Sequence, residues 1–127
     1  MKYASAEDRL NPVTPEGVTD ETLGGYQAVH GRAAAFTGCD GEPYTAAVET
    51  DEVGGPGGLS SAYFVFVRWA QTGTAVMGHV ETPDLVTAAT PDNARAALEA
   101  LPLARVREIL DETIRRKADE DDASEPT

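Results

Sequence analysis

Ser61-Ala-Tyr-Phe-Val-Phe-Val-Arg-Trp-Ala70, then Gln71-Thr-Gly73, then Thr74-Ala-Val-Met-Gly-His-Val-Glu81, is the most apolar, β-branched and aromatic part of this chain. Such side chains fit a pleated, half-buried surface, so the stretch predicts two strands of an antiparallel hairpin. With Thr72-Gly73 as a two-residue turn, Trp69 opposes Val76, Val67 opposes Gly78 and Val65 opposes Val80. One face then gathers Tyr63, Val65, Val67, Trp69, Val76 and Val80 and is uniformly apolar. The other face holds Phe64, Phe66, Arg68, Met77, His79 and Glu81. A three-residue turn with a bulge would slip this register by one and regroup the second strand. The two-residue turn sorts the faces better and is preferred.

Upstream, residues 27–36 read as a strand weakened by three alanines, and Asp40-Gly41 is the strongest short-range hairpin signal. The return strand spans residues 43–50. The turn pairs Phe36 with Thr45 and sets Arg32 opposite Glu49, a favourable cross-strand charge pair. Ala33, Ala35, Tyr44, Ala46 and Val48 form the core side of this first hairpin. Between the hairpins lies Gly54-Gly55-Pro56-Gly57-Gly58. A phosphate cradle would need a Gly-Lys-Ser/Thr and a helix starting at once, and neither follows. The segment reads as a flexible loop.

Downstream, Thr82-Pro83-Asp84 and Thr90-Pro91-Asp92 each offer a threonine cap, a proline at the first helical position and an acid in the first turn. The first predicts a short turn to about Ala88. The second predicts a helix over 91–101, with Ala94, Ala97, Leu98 and Leu101 on one face. A last helix is expected over 102–118, with Leu103, Val106, Leu110 and Ile114 at helical spacing. The fold class is therefore α+β: an antiparallel four-stranded meander of two hairpins, followed by two C-terminal helices packed on one face. Residues 1–25 read as an irregular N-terminal arm, in which Ser5 caps a short turn. Residues 26–118 form a single α+β domain, and 119–127 a disordered acidic tail.

The chain's 127 residues suffice for one small domain with a core of its own. Net charge is −12, and five of the 22 acidic residues fall in the last ten positions. A surface of that sign repels phosphate backbones, which argues against nucleic acid as a partner. Either GC-rich coding bias or adaptation to high salt would produce the acidity and the preference for arginine over lysine. No apolar run reaches the ~20 residues of a membrane helix, and the opening residues lack the apolar core of a signal peptide. The single Cys39 excludes an internal disulfide and suits a reducing compartment, so the expectation is a cytoplasmic protein with no membrane association.

No catalytic constellation, cofactor motif or metal-ligand spacing is present. Cys39 stands about eight residues along its hairpin from His30, beyond hydrogen-bond reach at ~3.3 Å per residue. Neither His30 nor His79 belongs to a His-x-x-x-His or Cys-x-x-Cys pattern. The acids Glu108, Asp111 and Glu112 among Arg105, Arg107 and Arg115 read as a solvated, salt-bridged helix face. The leading expectation is a non-catalytic module that self-associates or binds a protein partner, with Phe64, Phe66 and Met77 at the interface. These residues need a cover if the helices lie over Tyr63, Val65, Val67 and Trp69. The alternative is a binder of small anionic ligands, or a minor enzyme, that uses Arg68, His79 and Glu81 on one sheet face.

Overall fold

The computed structural model describes residues 20–53 and 57–124. Helix α1 (Leu23–His30) precedes strands β1 (Ala35–Thr37), β2 (Pro43–Val53), β3 (Leu59–Trp69), β4 (Val76–Glu81) and β5 (Val86–Ala88). Helices α2 (Pro91–Glu99) and α3 (Leu103–Ser124) close the chain. The sheet is antiparallel in the order β1-β2-β3-β4, with β5 also pairing to β3. The α+β class and the helices after the sheet are as the sequence predicts, with one added strand and one added helix. The Ser5 cap, most of the N-terminal arm, the first three residues of the glycine loop and the last three residues of the tail lie outside the described residues.

β2 and β3 are the backbone of the sheet. They pair over ten positions, from Tyr44 opposite Arg68 to Val53 opposite Leu59. The glycine-rich segment is thus the connection of the longest hairpin. Odd-numbered residues of β2 oppose odd-numbered residues of β3, so the two strands share their faces. On the even-numbered face, Tyr44, Ala46, Val48, Ala62, Phe64 and Phe66 are buried, and the Phe64 and Phe66 rings stack 5.4 Å apart. Leu23, Ala94, Leu98, Val106, Ile109 and Leu110 from the three helices complete that core.

The structure departs from the sequence expectations in three segments: the first hairpin, Thr82 and the tail. Of the strand expected over residues 27–36, only Ala35 and Phe36 are extended, in β1, and α1 occupies Leu23–His30. Thr22 caps it by accepting from the Gly25 N–H at 3.0 Å, and Gly31 ends it in the left-handed region at φ 66°. Gly24 sits in its first turn because a Cβ there would lie 2.9 Å from the Glu99 Cβ of α2. Arg32 is consequently outside the sheet, and Glu49 faces Tyr63 instead. The connection after β1 spans residues 38–42, not two residues, so Phe36 opposes Tyr44. Asp40 organises it, accepting from the Glu42 N–H at 3.0 Å and from the Tyr44 hydroxyl at 2.7 Å. Gly38 lets α3 approach: a Cβ there would meet Ile114 Cδ1 at 2.6 Å.

The second correction concerns Thr82. It does not cap a helical turn. Its N–H donates to the Phe64 carbonyl at 3.0 Å, and its hydroxyl accepts from the Phe64 N–H at 3.0 Å and donates to Pro83 O at 2.8 Å. This buried threonine fills the gap in the ladder between β4 and β5 along β3, so the chain stays extended into β5. Thr90, with the same tripeptide, is a cap: it accepts from Asn93 N–H at 3.1 Å and opens α2. The third correction is the tail. Residues 119–124 are helical, a continuation of α3, with Lys117 and Asp121 paired at i,i+4 across 3.4 Å.

Candidate functional site

Among the described residues, the helix-packed core lies on one side of this sheet. Leu59, Tyr63, Val65, Val67 and Trp69 point to the other side, and none of them belongs to the helix-packed core among the described residues. Beside them on β2 stand Val53, Asp51, Glu49, Ala47 and Thr45, each opposite its β3 partner. From β4, Glu81 stands next to Val65, His79 next to Val67 and Val76 next to Trp69. The result is an apolar stripe along β3. Leu59 and Val53 lie 51% and 42% exposed at one end, and Trp69 and the 60% exposed Val76 at the other. Ser61, small and fully buried, interrupts it between Leu59 and Tyr63.

The two ends of the stripe differ in chemistry. Around Tyr63 the side chains are acidic: Asp51, Glu81 and Asp84 share a hollow of about 310 Å³ with it. Desolvation raises the Tyr63 hydroxyl pKa, and the fields of Asp51, Glu81, Glu49 and Asp84 raise it further. At the other end, Trp69 donates its indole N–H to Thr45 Oγ1 at 2.9 Å and walls an apolar cavity of about 480 Å³ with Tyr26, Arg32, Ala35 and Pro43. Arg32 donates to the Tyr26 hydroxyl at 3.2 Å, and the Tyr26 ring packs on His30, which meets Asp20 at 3.3 Å.

The residues expected to form a site are redistributed by one feature, a bulge on β4. Arg68 opposes Gly78 and Trp69 opposes Val76, which leaves Met77 without a partner. Beyond the bulge the register slips by one, so His79 and Glu81 join the open face while Val80 turns to the core side with Phe66. Arg68 lies on that core side and donates to the Met77 carbonyl at 3.3 Å. Arg68, His79 and Glu81 therefore do not share a face. Arg68 and His79 still border one groove of about 360 Å³ between β4 and α3, where Asp40 and Asp121 oppose the charge of Arg68 and Lys117. His79 and Glu81 are exposed and stand 3.7 Å apart.

Phe64 and Phe66, expected at an interface, are fully buried beneath the helices and offer no surface. Met77 is 57% exposed beside Val76. Cys39 is exposed, with its N–H bound to Asp111 Oδ1 at 2.9 Å. Among the described residues, no three His, Cys, Asp or Glu side chains gather as a metal ion would require. Among the same residues, no helix is long and apolar enough to cross a membrane.

The open face of Tyr63, Val65, Val67 and Trp69 is apparent in the sequence but assigned there to the wrong side. The overlooked signal lies in β2, where Tyr44, Ala46 and Val48 alternate with Thr45, Ala47, Glu49 and Asp51. Pairing β2 to β3 through the glycine loop carries that polarity across and opens the odd-numbered face of β3. Comparison with protein families, with curated proteins and with solved structures finds no match to this chain.

Proposed function

We propose that this protein is a non-catalytic interaction module that docks a protein partner on the face of its sheet that the described helices leave uncovered. One observation carries the reading: the central strand presents Tyr63, Val65, Val67 and Trp69, flanked by Val76, Leu59 and Val53, to a side that no helix-packed core residue shares. Contiguous apolar surface of this kind, rimmed by charge, is the usual mark of a protein contact. A sheet hydrophobic on both faces gains by burying the second as well as the first.

The test is a photo-crosslinking amino acid at Val67 in the full chain, expressed in its native cell. The control places it at Arg107, exposed on α3. A discrete, heavier adduct from position 67 and none from position 107 is expected. The absence of an adduct from the open face would overturn the reading.

A further inference from the structure

We infer that the occupant of the open face is a cationic amphipathic helix of another protein, whose apolar side chains lie along β3 between rows of lysine or arginine. The inference rests on the docking reading above and deepens it in three steps, from backbone, dimensions and charge.

The backbone comes first. β2 and β3 are paired at ten consecutive positions, and the outer side of β3 is filled in turn by β4, Thr82, Leu85 and β5. Both edges of β3 are therefore filled, and the stripe itself offers side chains, while the sheet's open edges lie beside it, along residues 47–53 of β2 and along β4. An extended segment laid on the stripe would have no ladder to join, whereas a helix satisfies its own backbone. The opposite face already accepts helices in this way, with Ala94, Leu98, Val106 and Leu110 against Phe64 and Phe66.

Dimensions come second. From Leu59 to Trp69 the stripe is about 33 Å long at ~3.3 Å per residue, the length of roughly 20 helical residues. β2 and β4 flank β3 at ~4.8 Å on either side, which sets their rows about 10 Å apart, close to the diameter of a helix.

Charge selects the occupant. The β2 row carries Glu49 and Asp51, and the β4 row carries Glu81, with Asp84 next to Tyr63. Lysine and arginine on the two flanks of a docked helix would reach these rows while its apolar side chains met Tyr63, Val65 and Val67. Among the described residues, Arg32 lies at the Trp69 end and is turned to the Tyr26 hydroxyl. Glu81 also borders His79 and the α3 residues Arg116 and Lys117, which leaves Glu49, Asp51 and Asp84 as the stronger anionic margin. A second copy would bring a further −12 of charge and its own acidic rows to the contact, which opposes association.

Trp69 is the only tryptophan in the chain and lies on the proposed surface, so its emission reports on this face. The full chain is titrated with an 18-residue helical peptide of leucine and lysine, its leucines on one side, and in parallel with the same peptide carrying glutamate for lysine. A saturable blue shift of Trp69 is expected with the lysine peptide alone. The triple variant Glu49→Gln, Asp51→Asn, Glu81→Gln should weaken binding about tenfold. Asp119→Asn with Asp122→Asn on α3 should leave it unchanged. An unmoved Trp69, equal binding of the glutamate peptide, or undiminished affinity in the triple variant would each overturn the inference. So would a free chain that sediments as a dimer with Trp69 shielded from acrylamide, which assigns the face to a second copy. A monomer with Trp69 shielded assigns it to residues 1–19 of the same chain, with the same consequence. A crosslink from Val67 together with failure of the lysine peptide would leave the docking reading standing and remove only the cationic helix.

Discussion

The two faces of this one sheet have almost the same apolar content and opposite fates. Phe64 and Phe66 lie fully buried beneath the helices, while Val65 and Val67, one residue away in each case, remain half-buried on the face that the helix-packed core of the described residues does not include. Hydrophobicity alone does not decide which face is covered. The strand next door decides it. β2 alternates Tyr44, Ala46 and Val48 with Thr45, Ala47, Glu49 and Asp51, and carboxylates set into a helix-packed core would have to be desolvated without partners. The helices therefore close over the even-numbered side. The other side keeps an apolar stripe whose acidic margins remain in water.

The contrast can be broken or sharpened by substitution. Phe66→Ala should cost about 3–5 kcal/mol in urea unfolding, the range for deleting a large buried ring. Thr82→Val should cost about 1–3 kcal/mol, since the valine leaves the Phe64 N–H buried without its 3.0 Å acceptor. Hydrogen exchange would show that loss as earlier opening at the β4–β5 junction. Tyr44 adds a pH dependence to the covered face. Burial raises its hydroxyl pKa well above the ordinary 10.0, and the hydrogen bond to Asp40 raises it further. The neutral phenol is therefore favoured in the folded chain. Its stabilising contribution is complete below about pH 10 and declines as pH rises above that value, because the unfolded chain then releases a proton that the folded chain retains. Denaturant midpoints at pH 9 and pH 11 should differ less in Tyr44→Phe than in the parent. The smallest effect belongs to the open face. Val67→Thr should change stability by about 0.5 kcal/mol or less, since its hydroxyl meets water there.

How much of this is legible in the sequence follows from which signals are local. Strand residues 61–69, the return strand from Pro43, the Thr90 cap and the 3.6-residue spacing of Val106, Leu110 and Ile114 are local patterns, and each finds its place. Helix α1 is missed because Gly24 and Gly25 look like breakers, whereas they stand in its first turn under the Thr22 cap and against Glu99. The identical Thr-Pro-Asp tripeptides diverge because Thr82 has a β3 backbone beside it to bind and Thr90 does not. Tertiary context of that kind is invisible to a capping rule. The assignment of faces fails at the bulge, where one unpaired residue, Met77, moves His79 and Glu81 to the side opposite Arg68. A one-residue slip reverses every side chain beyond it, so an expected site built on three residues of one hairpin was separated by that one insertion.

The division of labour between the faces is tested most directly by one substitution with two readouts. Val67→Glu is introduced into the full chain carrying a photo-crosslinking residue at Val65, in the native cell. The account predicts a variant whose melting temperature stays within a few degrees of the parent and whose position-65 adduct is lost. An adduct that survives Val67→Glu, or a chain that unfolds on the substitution, would contradict the claim that this face serves binding and the other serves the fold.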